Sequence, residues 1–128
     1  IGVQIEAGLS LSGTAVARAL EPSYRLRGAL DQLFAGYDLL IGLTTPCTAW
    51  PHDRLGPETI GAKPAASRDH AAFTPRFNHA QLPALSMPCG TGRQGFPVGM
   101  QIIGPCGSDM TILTAALRAE TILSVPAT

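Results

Sequence analysis

Apolar and polar positions recur with different periods along this chain, and the periods predict its elements. After Pro22, the residues Leu26, Ala29, Leu30, Leu33 and Phe34 fall at i, i+3, i+4, i+7 and i+8, one apolar stripe of a helix. Arg25, Arg27, Asp31 and Gln32 lie off that stripe. Proline suits a first helical turn and Gly36 is a natural stop, so the pattern predicts a helix over residues 22–35. Ser12 is placed to cap a separate, alanine-rich helix over 13–20, and residues 1–11 read as the tail of an upstream helix. Residues 37–43 form a continuous apolar run after Asp38, the pattern of a strand covered on both faces.

Residues 44–68 are punctuated by Pro46, Pro51, Gly56, Pro57, Gly61 and Pro64 and read as one long loop, a length that in a compact domain usually marks a functional segment, a lid or a mobile stretch. Trp50, the only tryptophan, sits in it, and its reading as a plug holding the loop on the core is preferred over ligand stacking. A helical turn over 68–73 is followed by Thr74 as N-cap and Pro75 as first residue of a short helix through His79. Residues 84–89 and 98–104 are apolar strands joined by a glycine turn over 90–95; Pro83 and Pro88 bracket the first strand and Pro97 opens the second, as proline prefers strand ends. Ser108 and Asp109 open a last helix, whose faces are set by Ile112, Leu113, Ala116, Leu117 and Glu120, with Pro126 beyond its end. The order predicts a single α/β domain over 1–128: a mixed sheet with a C-terminal β-hairpin flanked by helices.

Composition changes the picture in one respect. Of the 128 residues 14% are charged and 45% hydrophobic, with zero net charge, whereas ordinary soluble domains carry roughly 25% charged residues. So few ions cannot coat a free-standing surface, which implies that some faces are covered by another chain or by further sequence. The start at Ile1, without Met or a signal-like segment, reads as a piece of something longer. No apolar run approaches the length of a membrane helix, and the neutral balance with dispersed arginines argues against a nucleic-acid surface. Cys47, Cys89 and Cys106 are widely spaced and odd in number, which points to a reducing, cytoplasmic setting over a disulfide scaffold.

Candidate chemistry is sparse. Gly90, Gly92 and Gly95 spell G-x-G-x-x-G, but a strand pattern follows where dinucleotide binding needs a helix, so these glycines are turn chemistry. His52, His70 and His79 form no metal-ligand spacing with one another or with the cysteines, and no cofactor or metal is expected. Cys89 with His79, oriented by Asn78, is the sharpest nucleophile pair that can be drawn; a structural thiol in a P-C-G turn is the simpler reading. A triad of Ser86, His70 and Asp69 lacks a G-x-S-x-G elbow. No catalytic residue is assigned.

Three linked stretches carry a resemblance: N-H-A-Q-L-P-A-L-S-M-P-C-G from Asn78, G-F-P-V-G-M-Q-I-I-G-P from Gly95, and D-M-T-I-L-T-A-A-L-R-A-E from Asp109. In this order they resemble the closing segment of the amidase signature family, and Tyr37-Asp38-Leu39-Leu40 with Thr45-Pro46 resemble that family's Y-D-x-L strand and the turn after it. Gln81 stands where the family usually has glycine, and Asp109 where it usually has Glu. The resemblance implies the amidase signature fold, of which this chain is the C-terminal portion. It also implies a catalytic lysine, a cis-bonded serine and a nucleophilic serine, all upstream. Lys63, the only lysine here, lies in a Pro/Gly loop without a serine run after it and does not match. Phe73 and Thr74, in a turn similar to one bordering the family's acyl pocket, are the expected substrate-binding residues. Asn78 is expected to satisfy backbone groups beside the strand. The related tRNA-dependent amidotransferase A subunits carry an Asp three residues before that Thr, where this chain has Ala71, which favours a general amidase.

The expected function is thus the C-terminal part of an amide hydrolase, inactive alone. Its expected partners are a small amide substrate and either the missing N-terminal part or a second copy of the chain. The alternatives are a non-catalytic interaction module or subunit, or a fragment of an amidotransferase A subunit.

Overall fold

The computed structural model describes residues 2–66 and 68–123, so the expectation for Pro126 lies outside the described residues. Helix α1 (Gly2–Leu9) leads through a short turn into α2 (Gly13–Phe34). The Ser12 hydroxyl accepts from the Ala15 N–H at 3.2 Å and caps α2 as expected. The predicted break at Pro22 does not occur: one helix of 22 residues runs through it. Pro22 cannot donate to the Arg18 carbonyl, but the position is exposed, so water can solvate the freed oxygen. The buried stripe is narrower than predicted. Leu26, Leu30 and Phe34 pack on the core, while Ala29 and Leu33 face out.

Strand β1 (Leu40–Leu43) follows. The loop after it is not featureless, because β2 (Thr59–Ile60) and β3 (Lys63–Pro64) form a small antiparallel hairpin. Its two turn residues, Gly61 and Ala62, both have positive φ (54° and 63°), the conformation that a two-residue hairpin turn of matching twist requires. A single 3-10 turn (Asp69–Ala71) precedes α3 (Pro75–His79). Strands β4 (Ala84–Thr91) and β5 (Pro97–Ile103) and helix α4 (Asp109–Leu123) complete the chain. No helix among the described residues is long and apolar enough to cross a membrane.

The main sheet has the order β1-β5-β4, with both pairings antiparallel. The expected C-terminal hairpin is β4–β5, flanked by helices. Pro88 lies inside β4 and not at its end; it is tolerated because β4 is an edge strand whose register shifts between Pro88 and Thr91. Strand alternation divides the core in two. On one face Met87 and Ile102 pack against Ile112 and Ala116 of α4. On the other, Ile103 packs with Ala80 and Leu82, against Leu26, Leu30 and Phe34 of α2 and Phe77 of α3.

The β1 expectation needs correction. Ile41 and Leu43 are 69% and 53% exposed, because α4 lies over β4 and β5 and nothing described covers the outer side of β1.

The end of α3 fixes how the chain enters β4. Gln81 N–H bonds the Asn78 carbonyl and Leu82 N–H bonds the Phe77 carbonyl, both at 3.0 Å, which is the paired pattern of a Schellman cap. Arg27 of α2 donates to the Ala80 carbonyl at 2.9 Å and ties this cap to α2, while pairing with Asp31. The Cys106 side chain and Asp31 both raise the pKa of its guanidinium.

Candidate functional site

The residues at the α3 end of the sheet are small or polar, unlike the aliphatic core below them. Gly42, Ser86 and Gln101 lie opposite one another across β1, β5 and β4, and alternation puts them on the same face as Ile103, under α3. Gln101 is 4% exposed, the only buried polar side chain among the described residues. Its Nε2 donates to the Leu43 carbonyl at 2.8 Å, so the amide is satisfied by the end of β1. Beyond it the Thr44 and Ser86 hydroxyls share a hydrogen bond at 2.7 Å. Gly99 explains how they fit: a Cβ there would stand 3.0 Å from Thr44 Oγ1 and 3.4 Å from Ser86 Oγ, so only glycine leaves this room without displacement.

Helix α3 forms a wall over this floor. Gly42, Leu43, Gln101, Phe73, Arg76 and Phe77 enclose a cavity of about 310 Å³. Phe73 therefore stands in a cavity wall. Thr74 is half-buried beside it and does not line the cavity. Thr74 is also not a side-chain cap: it sits at the N-cap position of α3 with helical φ and ψ (−86° and −37°), its hydroxyl makes no capping bond, and its carbonyl accepts from Phe77 N–H at 3.2 Å. Asn78, expected to be the locking amide, is exposed and lines the cleft between α2 and the end of its own helix, α3. That role belongs to Gln101, which sequence reasoning missed. Its mark was a lone polar side chain inside an otherwise apolar run, Val98 to Ile103.

The nucleophile pairs drawn from the sequence are not assembled. The Cys89 thiol is directed at the Val98 carbonyl, 3.4 Å away across the hairpin. His79 lies instead in the cleft between α2 and α3. Ser86 is engaged by Thr44, Asp69 accepts from the Ala66 N–H at 2.8 Å, and the His70 ring tilts against Trp50 with centroids 5.1 Å apart. Trp50 also donates its indole N–H to the Arg54 carbonyl at 3.1 Å, so it knits the loop together. Of the nucleotide-like glycines, Gly90 lies in the irregular end of β4 and Gly92 and Gly95 in the turn after it, with Gly90 and Gly95 at φ of 137° and 79°. No group of three or more His, Cys, Asp or Glu is placed to hold a metal ion among the described residues.

The cavity thus has Gly42 and Gln101 on its sheet side and Phe73, Arg76 and Phe77 on the other, with the Thr44–Ser86 pair outside its lining. Comparison with known proteins gives that site its class. A family model described as Amidase matches residues 4–113. The glutamyl-tRNA(Gln) amidotransferase A subunit of Agathobacter rectalis is 35% identical over 103 residues, 80% of this chain and 20% of that protein. Its namesake from Streptococcus pyogenes is 40% identical over 92 residues, 72% of this chain and 18% of that protein. A solved structure of 6-aminohexanoate cyclic dimer hydrolase complexed with substrate superposes with a TM-score of 0.76 at 27% identity, over 91% of this chain and 26% of that one. The chain belongs to the amidase signature family and carries part of its fold. It spans about a fifth of the length of the curated relatives it matches.

Proposed function

We propose that this chain is the C-terminal portion of a cytoplasmic amide-bond hydrolase, forming a single unit over 1–128, whose lysine, cis-bonded serine and nucleophilic serine lie upstream. The observation that carries this reading is the cavity under α3. It is a wall with Phe73 in place, in a chain of the Amidase family whose Ser86 hydroxyl pairs with Thr44 and whose Cys89 thiol is directed at the Val98 carbonyl. Phe73 then borders the substrate, with Thr74 half-buried behind it and outside the cavity lining, and Gln101 holds the floor rigid through the Leu43 carbonyl. The outer side of β1 and the exposed apolar faces of α1 and α4 dock on the upstream part. The isolated chain has no turnover of its own, because backbone oxyanion donors and nucleophile belong to that other part.

Ala71, three residues before Thr74, supports a general amidase, because no carboxylate stands there to meet the amine of a glutamine. The identity to amidotransferase A subunits supports the second reading, a fragment of one of these. Treating the full-length natural protein with a fluorophosphonate and mapping the adduct by mass spectrometry tests the proposal. The adduct is expected on a serine N-terminal to Ile1, together with loss of amide hydrolysis. An adduct on Ser86, or on any residue after Ile1, overturns it. Ammonia released from glutamine faster than from simple amides selects the second reading.

A further inference from the structure

The cavity under α3 is apolar on most sides but not at its mouth. Phe73, Phe77 and the bare backbone of Gly42 offer hydrocarbon surface, and Gln101 is tied to the Leu43 carbonyl. Arg76 is the one charged residue in the lining. Its Nη2 donates to the Ala72 carbonyl at 3.1 Å, within its own turn, which orients the guanidinium. The ion pairs among the described residues take Arg25, Arg27 and Arg54, and none takes Arg76. A guanidinium has five N–H donors in a planar fork that matches a carboxylate. With one donor anchored and no acid opposite, the remaining donors are free for a ligand.

We infer that this cavity binds a small carboxylate with an aliphatic or aromatic body, the body between Phe73 and Phe77 and the carboxylate on Arg76. The volume of about 310 Å³ suits a chain of a few carbons or one ring. Resting on the amide-hydrolase reading, the inference names the substrate class: an amide whose far arm ends in a carboxylate, which Arg76 holds away from the bond that breaks. A cationic arm is disfavoured by the same charge.

The test is equilibrium binding of radiolabelled hexanoate, hexanamide and hexylamine to the full-length natural protein, read without any turnover. Hexanoate is expected to bind about tenfold tighter than hexanamide, the size of one charge-assisted hydrogen bond, with hexylamine weakest. Arg76→Gln is expected to bring hexanoate down to the level of hexanamide, whereas Arg76→Lys, which keeps the charge, retains part of the preference. Equal affinity for acid and amide, a preference that survives Arg76→Gln, loss of it in Arg76→Lys, or no saturable binding overturns the inference. Binding through Arg76 in a protein that hydrolyses no amide would sink the amide-hydrolase reading alone. Hydrolysis without any carboxylate preference would sink only this one.

Discussion

Gln81 follows the last turn of α3 in the left-handed region, with φ of 55°. The Schellman cap asks for that conformation, and glycine adopts it without the clash that a Cβ brings. The departure from the family's glycine, visible in the sequence alone, thus marks a local strain, held in place by the two cap hydrogen bonds and by Arg27 on the adjoining carbonyls. Gln81→Gly is expected to stabilise the protein by about 1 kcal/mol, measured as a higher urea midpoint with unchanged slope. Asn78 and Gln101 teach the opposite lesson. Both are amides in linked motifs, and nothing in the residue type tells which is buried. That depends on strand register, since a shift of one position would turn Gln101 to the opposite face, into the aliphatic core under α4.

At the scale of elements, periodicity carries most of the fold. The stripe of α2, the β4–β5 hairpin and the last helix are all legible, because each repeats an apolar spacing over several turns or strand residues. Three features are not. Pro22 suggests a boundary, but an exposed position lets a helix continue past a missing donor. The β2–β3 hairpin is only two residues per strand, too short for any period to show, and its turn uses Ala62 at positive φ, which no composition rule anticipates. The bulge that admits Pro88 depends on pairing. On α4 the buried face is narrow: Ile112 and Ala116 are buried and Leu117 is not. Ile112→Ala is accordingly expected to cost about 2–5 kcal/mol, the range for emptying a filled aliphatic site, whereas Leu117→Ala in the same chain stays within about 0.5 kcal/mol. Equal losses in chemical denaturation would contradict the placement of α4.

The whole molecule exposes more than its mass warrants. A compact chain of 13.3 kDa should present roughly 6,500 Å², and this one presents 9463 Å². Part of the excess is apolar, with Val3 and Leu9 on α1, Ile41 and Leu43 on β1, and Met110, Leu117 and Ile122 on α4. The low charge content legible in the sequence has these exposed apolar side chains as its physical counterpart. Phe73 could be picked from a motif, but the cavity it lines depends on strands and a helix brought together from distant parts of the sequence, between Gly42 and Gln101. If the outer side of β1 is an internal surface of the complete protein, Ile41→Ser should cost about 2 kcal/mol there and stay within about 0.5 kcal/mol in residues 1–128 alone. The same small effect in both would mean that this face remains in water.

The most direct measurement is the initial rate of amide hydrolysis, at equal molar concentration, by the full-length natural protein and by residues 1–128 alone. Turnover is expected from the first and none above the buffer blank from the second. Reproducible turnover by the 128 residues that disappears in Cys89→Ala would contradict this, because the chemistry would then reside in the part assigned here to walls and floor.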